Sequence, residues 1–141
     1  MREILFRGKR TDNGEWVYGS LEISEDGLDC NKNVYYIIDA YGNGEEVIPE
    51  TIGQYTGLND KYGNKIFEGD ICKGNEYSDE NEIFVIKYGK YATSDWKDKY
   101  ISKTCQFGWY AEFIKTKQQV HLVTPNGIRI IGNIHDGDNN D

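Results

Sequence analysis

The apolar residues of this chain fall at every second position in short runs, and stretches of Gly, Asn and Asp separate the runs. A repeat of two is the side-chain period of a β-strand, whereas a helix repeats every 3.6 residues. In "EILFRGKR", Ile4 and Phe6 share one face, and Leu5, Arg7 and Lys9 share the other. "DNG" at 12–14 then offers residues that tolerate positive φ, and "EWVYGSLEI" returns with Trp16 and Tyr18 opposite Val17 and Leu21. That is a hairpin. "CQFGWYAEFI" alternates in the same way, with Phe107, Trp109, Ala111 and Phe113 on one face. Sixteen Gly against two Pro supply the turns that such a chain needs. The expected fold is mainly β, with about nine short strands of ordinary length.

The remaining segments fit that frame. "EDGLDCNKN" (25–33) reads as a loop, "VYYIID" as a strand and "AYGNGEE" as a turn. "VIPETIGQYTG" reads as extended chain that Pro49 confines to an edge or an irregular stretch. "DICKG" opens a strand, "NEYSDENE" (75–82) is an acidic solvated connection, and the apolar run of "IFVIKYG" marks a strand covered on both faces or a local packing need. Over 91–103, Trp96 and Tyr100 stand four apart behind Thr93 and Ser94, which suits a short helix or a long loop. "QQVHLV", "TPNG" and "IRIIGNI" read as a hairpin, with Val120 and Leu122 facing one way, as do Ile128, Ile130 and Ile134. No internal repeat alters this reading. Two small β sub-domains are expected, 1–57 and 58–135, followed by a polar tail at 136–141.

Charge and composition narrow the class of partner. The net charge is −8, of which residues 1–70 carry −7 and residues 71–141 carry −1. Phosphate backbones are gripped by Lys and Arg, so this balance disfavours nucleic acid as the partner. Hydrophobic residues make up only 38%, yet 13% are aromatic, including eleven Tyr, and large rings let a hydrophilic chain build a core. Cys30, Cys72 and Cys105 are far apart and lack metal spacing with His121 or His135, which fits reduced thiols in a cytoplasmic protein. No run approaches the roughly 20 apolar residues of a membrane helix, and the N-terminus lacks the pattern of a signal peptide.

The stretch most like a chemical motif is "YTGLNDKYGNKIFEGDI" (55–71), in which Asp60, Glu68 and Asp70 could serve as acid, base or metal ligands. Asx turns and glycine turns explain the same residues: Asn59, Asp60 and Asn64 bond nearby backbone, while Gly63 and Gly69 accept positive φ. Asp79, Glu80 and Glu82 lack the order of a calcium loop, and Asp136 and Asp138 lie in the tail. Cys105 and His121 lack the setting of an activated thiol. "YGNG" at 41–44 precedes no helix that would make it a phosphate cradle. Tyr35, Tyr36, Tyr41, Tyr55 and Tyr62 are candidates for a binding surface. No catalytic, cofactor-binding or metal-ligating residue is assigned.

"REILFRGKR…GEWVYGSL" near the start, "IGQYTGLNDKYGNKIFEGDI" in the middle and "IIGNIHD" at the end resemble the YopX-like proteins of phages and prophages. The middle block is the most specific, through Gln54, Tyr55, Thr56, Gly57, Leu58, Asp60, Gly63, Lys65, Ile66, Glu68, Gly69, Asp70 and Ile71. The tail "GDNND" departs from the family's Pro-containing acidic ending. The resemblance implies a mainly β fold of two sub-domains and a mobile-element origin in a bacterial cytoplasm. It carries over no catalytic residue. The E-G-D-I turn also looks like the opening of a small SH3-like barrel, a likeness of fold that does not give function. The expected role is a non-catalytic module that binds a phage or host protein, with no cofactor, and exposed strand edges leave homo-oligomers open. The alternatives are a metal-dependent hydrolase using Glu68 and Asp70, and a nucleic-acid-binding small barrel.

Overall fold

A computed structural model describes residues 3–26, 29–74, 82–94, 103–122 and 127–136. Among them are eleven strands, one 3-10 turn and no α-helix. The chain divides into two units, Met1–Gly57 and Leu58–Asp141.

In the first unit, β1 (Phe6–Lys9) and β2 (Trp16–Asp26) form the expected hairpin, with Lys9 opposite Trp16 and Gly14 at φ 72° in the turn. β3 (Asp29–Ile38) pairs along β2, and β4 (Gly44–Glu46) pairs with β3. Residues 25, 26 and 29–33 of the expected loop are therefore strand, and 27–28 lie outside the described residues. Both strands run on to Asp26 and Asp29, because cross-strand pairing overrides the turn preference of Asp, Gly and Asn. Of the two settings expected for Pro49, the irregular one is found: it opens the 3-10 turn Pro49–Thr51, where its fixed φ and missing N–H do no harm. β5 (Gly53–Asn59) then lies against β1, giving the order β4-β3-β2-β1-β5. Ile37, Val47 and Tyr55 are buried. Arg7 and Lys9 are buried too, with the Arg7 guanidinium 4.5 Å from the centre of the Trp16 ring. A cation over an aromatic face keeps a favourable electrostatic partner after losing water.

The second unit continues β5 into β6 (Lys65–Phe67), its neighbour, and then into β7 (Asp70–Lys73). β8 (Ile83–Ser94) and β9 (Lys103–Phe113) are long partners, so the outer parts of 91–103 are strand. Trp96 and Tyr100 lie outside the described residues. β10 (Gln119–His121) pairs with β9, and β11 (Arg129–Asn133) pairs with β7. The sheet order is β10-β9-β8-β7-β11, which overturns the expected hairpin of 118–134. β10 and β11 occupy opposite edges, and no ladder joins them among the described residues. The core is Ile66, Cys72, Phe84, Ile86, Ala111 and Ile128, and Val120, Leu122 and Ile130 pack against it. Cys72 is buried and forms no disulfide.

Candidate functional site

The stretch 55–71 contains two tight turns, each closed by a carboxylate. Asp70 Oδ2 accepts the Phe67 amide at 2.7 Å. Gly69, at φ 89°, donates its N–H to the Ile86 carbonyl and accepts the Ile134 amide on its own carbonyl. The nearest atoms to a Cβ added at Gly69 would be those of Ile134 and His135, at ordinary contact distances of 3.6 and 3.7 Å. Gly69→Ala should therefore cost about 1 kcal/mol, from the left-handed backbone alone. A urea titration showing no loss of stability would contradict this. Glu68 is half-buried, and its burial pushes the carboxyl pKa up.

Asp60 is only 6% exposed. Its Oδ1 accepts the amides of Tyr62 and Asn64 at 2.9 and 2.8 Å, and its Oδ2 accepts the Asn64 side-chain amide and the distant Ile130 amide, each at 3.3 Å. The same turn occurs earlier. Asp39 Oδ1 accepts the amides of Tyr41 and Asn43 at 2.9 and 3.0 Å, and Asn43 Nδ2 donates to Oδ2. Gly42 and Gly63 sit at φ 83° and 85°. The sequence holds the signal for this: "DAYGN" at 39–43 and "DKYGN" at 60–64 are one Asp-x-Tyr-Gly-Asn turn used twice, joining β3 to β4 and β5 to β6.

Asp60 and Asp70 thus aim their oxygens at backbone amides, as capping groups do. Among the described residues, no group of three or more His, Cys, Asp or Glu is placed to hold a metal ion. Glu82 is exposed, Asp136 accepts from the Asn133 side chain, and Asp79, Glu80 and Asp138 lie outside the described residues. The side chain of Cys105 lies outside the described residues, and only its place in the ladder can be given. Cys105 stands opposite Ala92, whereas His121 stands opposite Tyr110, five residues further along β9. The candidate tyrosines do not form one surface either: Tyr55 is core, Tyr35 and Tyr36 point to opposite faces of β3, and Tyr41 and Tyr62 each tip their own turn.

The β8–β9 ribbon holds the surface that sequence reading missed. Gly89 stands opposite Gly108, at φ 143° and 152°, backbone that side chains avoid. At this pair the ribbon folds over. The Ala92 amide donates to Gln119 Oε1 at 3.0 Å, although Gln119 lies level with Val85, seven residues back along β8. In a flat sheet that offset is ~23 Å. On the inside of the fold, Tyr91 stacks on Tyr110 with ring centres 4.9 Å apart, and its hydroxyl meets His121 Nδ1. Lys87 Nζ pairs with Glu112 at 2.7 Å on the same side, and that hydrogen bond, against the opposing effect of burial, holds the Glu112 pKa down.

On the outside stand Tyr88 and Phe107, beside the half-buried Trp109, which packs against the core. Tyr88 is 52% exposed and Phe107 73% exposed, and Tyr88 meets Phe107 and Trp109 edge-on at 5.5 and 4.9 Å. Lys90, exposed, is directly opposite Phe107. The local two-fold axis of the antiparallel pair relates "YGKY" (88–91) to "FGWY" (107–110), so one aromatic-Gly-x-Tyr pattern writes both the fold and the patch. The arrangement can grip an apolar or aromatic group beside a negative one.

The family model described as YopX protein matches residues 5–139. The chain belongs to that family. The match takes in both units of this YopX-family chain, including both Asp-x-Tyr-Gly-Asn turns and the folded ribbon. None of the curated proteins matches it.

Proposed function

We propose that this chain is a non-catalytic accessory protein of a phage or prophage that works in the bacterial cytoplasm by binding another protein. The supporting observation is the exposed aromatic pair Tyr88 and Phe107 on the outside of the folded ribbon, with the half-buried Trp109 beneath Tyr88. Exposed clustered aromatics cost solubility and are enriched at the centres of protein interfaces. The Asp60 and Asp70 side chains of 55–71 are occupied in closing turns, which suits a scaffold whose task is to present a surface.

The test is cross-linking and affinity capture from the bacterial host with the intact chain, beside Phe107→Ala and Tyr88→Ala. Both side chains are largely exposed, so the variants should keep the fold. Capture of a defined protein that either substitution reduces about tenfold or more is the expected result. Capture that is indifferent to both substitutions would sink the reading.

A further inference from the structure

Charge is distributed in a way that the net value hides. The ribbon and the turn after it, 83–94 and 103–117, hold five Lys (87, 90, 103, 115 and 117) and one Glu, Glu112. This is a surplus of four positive charges in a chain of net −8, so the rest of the chain carries −12. Of the five Lys, Lys87 pairs with Glu112 on the inside of the fold, and Lys90, exposed and opposite Phe107, is the charge placed beside the aromatic patch.

The first unit has the opposite chemistry. A groove of about 260 Å³ is lined by Ile4, Leu5, Tyr18, Ser20, Ile38 and Asp39. Ile4 is 68% exposed and Tyr18 48% exposed, so the groove presents apolar surface to water. Glu22, Tyr36 and Glu46 are direct partners across β2, β3 and β4, on the face that carries Ser20 and Ile38. Both glutamates are exposed. Asp39 stays ionised, since the Asn43 amide first, then those of Tyr41 and the Asn43 side chain, outweigh burial and hold its pKa down. Arg7 and Lys9 share this face of the sheet but are buried, both near the Trp16 ring. Among the described residues of this face, the exposed charges include the acidic Glu22 and Glu46.

We infer that the chain self-associates head to tail, the Tyr88–Phe107 patch of one copy seating in the Ile4–Tyr18–Ile38 groove of the next. Lys90, opposite Phe107, then faces the rim of Glu22 and Glu46. The inference rests on the protein-binding reading and names its partner as a second copy. Aromatic anchors supply the buried contact, and opposite charges orient the encounter and set the register. The two surfaces are different, so the contact is heterologous and builds rings or open chains according to the rotation between copies.

Sedimentation velocity on the intact chain, over a wide range of concentration and at low and high salt, tests this. Association that grows with concentration and weakens with salt is expected. Phe107→Ala, Lys90→Glu and Glu22→Lys should each weaken it, Phe107→Ala by about tenfold or more. Lys90→Glu and Glu22→Lys combined in one chain should restore it, which a fold defect could not do. A wild-type chain that stays monomeric overturns the inference, as does association that ignores all three substitutions. A monomer that still captures a host protein through Phe107 overturns self-docking and leaves the broader reading standing. A monomer whose tryptophan fluorescence is quenched by oligo-dT through Phe107 overturns both in favour of single-stranded nucleic acid.

Discussion

Asp60→Ala should lower the unfolding free energy by about 3 kcal/mol at neutral pH, because a charged acceptor leaves several amide donors behind it. The Asp60 carboxylate takes hydrogen bonds from Tyr62, twice from Asn64, and from Ile130, which lies 70 residues away in sequence. The last bond ties the turn to β11, so the substitution loosens an edge strand as well as a loop. Asp39→Ala is the internal control. It opens the same turn in an exposed setting with no long-range donor, and its effect should be clearly smaller. Equal losses in paired denaturant titrations would show that burial and the Ile130 bond contribute nothing.

The same residue predicts an acid limb. Burial pushes the Asp60 pKa up, but the donors of Asn64, Ile130 and Tyr62 win and hold it below the ordinary carboxylate value. A depressed folded pKa means that the unfolded chain binds the proton more readily. The stabilisation is therefore complete above the unfolded value of about 4 and fades as pH falls through the folded one. Asp60→Asn should flatten the pH dependence of stability below about pH 4.

Local chemistry was legible in the sequence where a residue acts on its own backbone. The alternation of Ile4 to Lys9, the turn glycines 14, 63 and 69 and the inward set of Val120, Leu122 and Ile130 follow from period and φ alone. What failed was pairing at a distance. A continuous pattern in 119–122 and 128–134 says strand and strand, but both edges of a sheet are open to a new strand, and each took a different one. The loop expected at 25–33 failed for a related reason, since a ladder can extend through residues that prefer turns if its partner is in register. The aromatic patch was hidden because the sequence gives Tyr88 and Phe107 the spacing of core residues. They continue the face of Ile86 and Ala111, and only the fold at the glycine pair turns that face outward. The Asp-x-Tyr-Gly-Asn repeat needed no structure to be seen, only a search for short turns as well as for long modules.

Gly89 and Gly108 carry the second large effect. Gly89→Ala and Gly108→Ala should each cost about 1–2 kcal/mol, and the double variant about 3, because each forces a side chain onto backbone of φ 143° or 152°. Steric collision is not the cause, since a Cβ at either site meets nothing within 4 Å. The penalty has an alternative to unfolding. The ribbon can relax toward a flat ladder, which would part Tyr91 from Tyr110 and the Ala92 amide from Gln119. The two outcomes separate in the spectra. Relaxation removes the ring-current shifts of the Tyr91–Tyr110 stack while the β8–β9 amides stay protected from exchange, whereas strain held in place lowers the melting temperature with the stack intact. Either result identifies the glycine pair as the corner on which the Tyr88–Phe107 surface is built. A double variant with unchanged stability and an unchanged stack would show that the corner is set elsewhere, and the link between this sequence pattern and the exposed patch would fail.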